Sequence, residues 1–271
     1  MIRSLCLALA VMVAPAARAD TALDRLTLRS ERLGWEAVGR LDVGSVGFCT
    51  GVLVAPDLVL TAAHCLYNNS TGARRDPTQM MFRAALRDGQ AVAQVRVRRA
   101  VVLPGYDPLD VDQLTQLQND AALLQLTQSI PAGHAAPFTV GRAVDAGDRV
   151  SVVSYARGRS EAPSWQRECR VSGRGQGAIA FTCDVSFGSS GAPVFETSKG
   201  RPRIVSIVSR GARSSRGIVA YGMEIAGPLR KLKAAMIAGD GVFPKETVTS
   251  RRVTVQQGAP KSAGGARFVR P

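Results

Sequence analysis

The chain has 271 residues, 45% of them hydrophobic and 5% aromatic, with 27 glycines and a formal net charge of +14. That length holds one large or two ordinary domains, and that apolar content excludes disorder of the whole chain. The positive balance predicts non-specific adhesion to polyanions by counterion release; scattered arginines and the lack of any zinc-finger, RNP or helix-turn-helix signature exclude specific nucleic-acid reading.

Residues 1–19 read as an export signal, with Arg3 as the positive start, an apolar run from Leu5 to Ala14, and a small-x-small cleavage site at Ala17-Arg18-Ala19. The run is too short for a transmembrane segment, and no later stretch is long enough. The expectation is a soluble, secreted or periplasmic chain beginning at Asp20, with a charge of +12 once Arg3 and Arg18 are lost. Residues 20–34 have weak helical spacing and form a leader packed on the domain, a short propeptide, or a disordered stretch.

From Trp35 onward short β-type runs alternate with turn residues. In the first half they are Ala37 to Leu41, Gly51 to Val54, Leu58 to Leu60, Ala91 to Val97 and Ala121 to Leu126. In the second half they are Arg149 to Ser154, Cys169 to Val171, Ala178 to Thr182, Ala192 to Phe195, Ile204 to Val208 and Ile218 to Met223. The two sets divide near residues 128–140, around Pro131, Gly133 and Pro137. Pro228 to Ala238 is an amphipathic helix with Leu229, Leu232 and Met236 on one face. Residues 245–271 read as a flexible basic tail.

Cys6 falls in the signal, leaving Cys49, Cys65, Cys169 and Cys183. An even number in an exported chain favours two disulfides over a metal site, and no C-x-x-C or H-x-x-x-H spacing supports a metal. Gly173-x-Gly175 lacks the strand–turn–helix setting of a dinucleotide loop, so no cofactor is expected. Asn69-Ser70-Thr71, a formal glycosylation sequon, reads as an ordinary polar loop.

Nucleophilic hydrolysis by serine needs a neutral imidazole to take the hydroxyl proton, a carboxylate to fix that imidazole, and backbone N–H groups facing the developing oxyanion. Only two histidines exist. His134 sits in a bare turn, whereas His64 closes Leu60-Thr61-Ala62-Ala63-His64-Cys65 directly after an apolar run. Asp120 precedes the strand Ala121 to Leu126; Asp107, Asp110 and Asp112 lie in a polar stretch and read as solvated. Gly188-Ser189-Ser190-Gly191-Ala192-Pro193 is small enough for a sharp turn that approaches a substrate carbonyl.

Together these elements resemble the chymotrypsin/trypsin family of serine peptidases, in the order His, Asp, Ser and over roughly residues 35–240. The resemblance implies an all-β fold of two packed six-stranded antiparallel barrels, about 35–130 and 138–227, with a C-terminal helix at 228–238, the peptidase domain as a whole spanning 35–244. It implies a serine endopeptidase acting on protein or peptide substrates, with His64 as general base, Asp120 as orienting carboxylate and Ser190 as nucleophile. The N–H groups of Gly188 and Ser190 would form the oxyanion hole, Cys49 would pair with Cys65, and Cys169 with Cys183. Ser189 stands where digestive members have the aspartate that captures a new N-terminus, and no Arg-Ile-Val-Gly-Gly-like junction is present, so activation by that ion pair is not expected.

Asp184, six residues before Ser190, matches the pocket-base carboxylate of trypsin-type members. Ser209-Arg210-Gly211 matches the pocket's edge strand, and Gly217 a second pocket glycine. Those positions favour Arg or Lys at P1. Against this, Glu-cleaving members carry Asp at the same offset, usually with a histidine just before the edge-strand serine, where this chain has Val208. The alternative to an enzyme is a catalytically silent binding protein that holds polyanions on its basic surface.

Overall fold

The computed structural model describes residues 21–198, 200–214 and 217–244, apart from the side chain of Ser214. The expected signal at 1–19 and tail at 245–271 lie outside the described residues.

Six strands close the first barrel: β2 (Val38–Val43), β3 (Phe48–Ala55), β4 (Leu58–Thr61), β5 (Met80–Ala84), β6 (Ala93–Val102) and β7 (Ala122–Leu126), in spatial order β2-β3-β4-β7-β6-β5. β2 and β5 pair antiparallel from Gly39↔Ala84 to Val43↔Met80, which closes the ring. The second barrel comprises β8 (Arg149–Ala156), β9 (Arg159–Gly175), β10 (Ala178–Phe181), β11 (Pro193–Glu196), β12 (Arg203–Ser214) and β13 (Gly217–Met223). These run β9-β10-β13-β12-β11-β8, and β8 pairs back onto β9. Closure leaves neither sheet an unpaired edge within its barrel.

The segment before the barrels is structured. β1 (Leu23–Arg25) adds to β9 opposite Ser164, Trp165 and Gln166, and Leu26 beyond it is buried. A single helical turn, α1 (Arg29–Arg32), then leads to Trp35.

Inward-pointing Val, Leu and Ile fill each barrel, as alternation on closed sheets requires. Between the barrels, Trp35 lies 5.1 Å from Phe195 and 5.0 Å from Trp165, and Phe138 lies 4.6 Å from Phe195. Tyr155 on β8 is fully buried and donates its hydroxyl to the Leu86 carbonyl of the first barrel at 3.0 Å. α3 (Ala226–Ala238) packs on β6 and β7 through Leu229, Leu232 and Met236. It starts two residues before the expected Pro228, since a proline fits the first helical turn.

Two elements depart from the sequence expectation. β5 carries no clear signal in the sequence, because Met80-Met81-Phe82-Arg83-Ala84 suits a helix as readily as a strand by composition. Its buried Met80, Phe82 and Ala84 alternate with partly exposed Met81 and Arg83. α2 (Gln113–Asn119) occupies the stretch read as polar loop, started by the Asp112 carboxylate accepting the Leu114 N–H at 3.0 Å.

Candidate active site

β4 ends at Thr61, and a 3₁₀ turn, Ala63–Leu66, carries His64 to the edge of the gap between the barrels. The Cys49–Cys65 disulfide ties this turn to β3, with Cα atoms 6.4 Å apart. Cys49, His64 and Cys65 come close enough to suggest a ligand set, but the two sulfurs are bonded to each other and offer no thiolate. The Cys169–Cys183 disulfide joins β9 to the segment that leads into the nucleophile turn.

α2 ends where β7 begins, and Asp120 occupies that junction with 2% exposure. Its Oδ1 accepts the His64 backbone N–H at 2.9 Å, and its Oδ2 lies 2.7 Å from His64 Nδ1. A carboxylate can only accept, so Nδ1 carries the proton and Nε2 is left with its lone pair free. Ser209 on β12 also donates its hydroxyl to Asp120 Oδ2. Burial penalises both charges, yet their mutual attraction and these hydrogen bonds prevail: the Asp120 pKa is lowered and that of His64 raised. The positive charge of Arg210 opposes the rise at His64.

Ser190 sits in the turn between the barrels' facing walls, and its hydroxyl shares with His64 a cleft of about 870 Å³. The hydroxyl makes no hydrogen bond to the imidazole in this structure; such bonds are commonly long until a substrate is seated. The turn itself is tightly held. Gly191 donates to Val208 O at 2.7 Å, and Thr50 N–H donates to Ser190 O at 2.8 Å. Gly191 has φ +78°, and a Cβ there would lie 2.2 Å from Thr61 Oγ1. Gly188 has φ +97°, and its Cβ would lie 2.3 Å from the Phe48 ring. Neither position can take a side chain. Among the described residues the N–H groups of Gly188 and Ser190 have no acceptor, whereas those of Ser189, Gly191 and Ala192 are all paired. Two open donors beside a serine hydroxyl are what an oxyanion requires.

The structure adds Thr50 to the site. Fully buried on β3, it donates its hydroxyl to Gly188 O at 2.9 Å and accepts the Tyr155 N–H at 3.0 Å. It thereby fixes the peptide following Gly188. The sequence signal was its place beside Cys49, but nothing local shows that a β3 side chain reaches across to the second barrel.

Of the expected pocket residues, Ser209 and Gly211 line the cleft and two others do not. Asp184 is exposed, outside the lining, with its N–H on Gln166 Oε1 at 2.7 Å. Anchoring of Cys183 on Cys169 holds it at the outer surface, and Val185, Ser186 and Phe187 form the wall instead. Gly217 is also exposed, opposite Ser214 in the last pair of the β12–β13 hairpin, because the long strands carry the hairpin end past the cleft. Ala212 and Ile218 take the lining positions. His134 is exposed in its turn, and Asp107 and Asp112 are exposed.

The profile of the trypsin-like peptidase domain matches residues 49–203. Serine protease 56 of Mus musculus is 32% identical over 143 residues, 51% of this chain and 22% of that protein. Glutamyl endopeptidase of Bacillus licheniformis is 24% identical over 164 residues, 58% of this chain and 48% of that protein. The chain thus spans less than half the length of these curated relatives. A solved Glu endopeptidase in complex with MPD superimposes with a TM-score of 0.63 at 18% identity, covering 80% of this chain and 96% of that one. Protease Anisep from Arthrobacter nicotinovorans gives 0.60 at 18% identity, covering 78% and 99%. At such identity the likeness speaks to the two-barrel, chymotrypsin-like fold. With the profile covering more than half of the sequence, including His64, Asp120 and Ser190, the chain belongs to the trypsin-like peptidase family.

Proposed function

We propose that this protein is a serine endopeptidase. Ser190 attacks the scissile carbonyl while His64 Nε2 takes its proton, and Asp120 holds the ring and stabilises the imidazolium. The Gly188 and Ser190 N–H groups receive the oxyanion, and His64 then returns the proton to the leaving amine. The observation that carries this reading is the doubly bonded His64–Asp120 pair sharing one cleft with Ser190 and two acceptor-free N–H groups.

We further infer a preference for acidic side chains near the scissile bond. A basic P1 preference needs a carboxylate at the pocket base, and Asp184 lies outside the cleft. Arg75, Arg157, Arg210 and Arg213 line it, and among the described residues the one lining carboxylate, Asp120, is engaged with His64 and Ser209. Arg75 and Arg210 are held by the neutral acceptors Tyr67 O and Gln116 Oε1, and Arg157 stacks on Phe187, so their charges stay available. A Cβ on Gly211 would lie 2.8 Å from Val185 Cγ2, so this wall of the cleft takes no side chain at that position. The glutamyl endopeptidases to which the chain is similar agree, by name, with this charge pattern. Two disulfides fit an oxidising compartment and support export directed by residues 1–19.

Matched fluorogenic peptides carrying Glu or Lys at P1 test both levels. Cleavage of the Glu peptide, lost by about 10⁶-fold in Ser190→Ala, is expected. No cleavage by the wild type, with salt-sensitive retention on heparin, would instead favour a silent binding protein.

A further inference from the structure

Beneath the nucleophile turn lies a polar cluster that the chemistry above does not use. Ser154 on β8 and Ser189 are both fully buried. Arg159, at the start of β9, donates Nη1 to the carbonyl and the hydroxyl of Ser154, at 3.0 Å each. Its Nη2 reaches Ser189 Oγ at 3.4 Å. Ser189 in turn closes the turn upon itself. Its Oγ accepts the Ser186 N–H at 3.3 Å, and its N–H donates to Ser186 O at 2.9 Å. The guanidinium is therefore tied at one end to barrel strand β8 and at the other to the residue preceding the nucleophile.

The arrangement is expensive as mere scaffolding. Burial lowers the Arg159 pKa, and only the exposed Asp184 carboxylate works against that. A half-buried cation held mainly by serine oxygens costs desolvation energy that an apolar side chain would avoid. Ser189 carries no charge of its own, so a cation from within the chain supplies the charged anchor under this turn.

We propose that Arg159 is the positioning residue of the nucleophile turn, locking Ser189 from beneath so that the flanking Gly188 and Ser190 N–H groups converge on one point. The inference rests on the peptidase reading of Ser190. Removing Arg159 leaves the cleft walls and their arginines in place, so substrate still binds while the oxyanion donors lose alignment. The effect belongs in kcat.

The test compares wild type, Arg159→Ala and Arg159→Lys in peptide cleavage, with fluorophosphonate labelling and urea unfolding in parallel. Arg159→Ala is expected to lose about 10- to 100-fold in kcat with KM changed less than about threefold, since misplacement by an ångström costs that much. Arg159→Lys should recover part of the loss, as should ethylguanidinium added to Arg159→Ala. If Arg159→Ala does not fold, Arg159→Met keeps the apolar stem without the guanidinium and should show the same kcat-specific loss. Wild-type kcat in a folded variant, or a loss that merely follows the folded fraction, would overturn the proposal. Failure of the wild type to react with fluorophosphonate is a separate result, and it removes the peptidase reading itself.

Discussion

A single proton governs the site. His64 can act as a base only when neutral, and its pKa is raised because Asp120 outweighs the effect of burial. The acid limb of kcat/KM should therefore lie above the ~6.5 of a free imidazole, with the rate falling as pH drops through it. Arg210 disfavours the imidazolium, so Arg210→Gln should move that limb to still higher pH. A pH–rate profile of the two proteins reads the shift, and a downward move would contradict the electrostatic assignment. Thr50 acts by a different route. Thr50→Val keeps the shape but leaves the half-buried Gly188 carbonyl and the buried Tyr155 N–H without their hydroxyl partner. Expected are a loss of about 1–3 kcal/mol in urea unfolding and a lower kcat. Unchanged values for both would show that the hydroxyl fixes nothing.

At the scale of elements, the two disulfides hold the segments that deliver His64 and the nucleophile turn. Cys169 and Cys183 close a loop with a sequence separation of 14. Replacing both with alanine should cost about 3 kcal/mol by loop-closure entropy, read as a lower urea midpoint. An unchanged midpoint would mean that β9–β10 pairing alone sets this hairpin. Much of the architecture is legible in the sequence because alternating apolar runs and turn residues mark strands locally, as for Leu58–Thr61 and Ala122–Leu126. The candidate site is legible because His64, Asp120 and the Gly188–Pro193 turn each sit beside such a run. β5 is hidden by a composition of Met and Ala that fits either period. The pocket is misread for a related reason: Asp184 has the right offset along the chain, but the Cys183 anchor decides which way the segment faces. Thr50 and Arg159 are invisible because their partners, Gly188 and Ser189, are more than a hundred and about thirty residues away in sequence.

At the scale of the whole molecule, two closed barrels leave a cleft at their junction, and β3 and β8 span it through Thr50 and Tyr155. The cleft lies in a chain of formal charge +14 and, among the described residues, presents four arginines of its own. Low-dielectric walls concentrate such a field, so capture of acidic peptides should be steered electrostatically. The kcat/KM for a Glu-containing peptide should fall steeply as salt rises and the Debye length shrinks to about 8 Å near 0.15 M, while that for a neutral peptide stays nearly flat. Equal salt dependence would contradict steering. Whether a His64-activated Ser190 is the nucleophile is read by intact mass and peptide mapping after reaction with a fluorophosphonate. One adduct, on Ser190, is expected in the wild type and none in Ser190→Ala; an unlabelled wild type, or an adduct that persists in Ser190→Ala, would contradict this assignment.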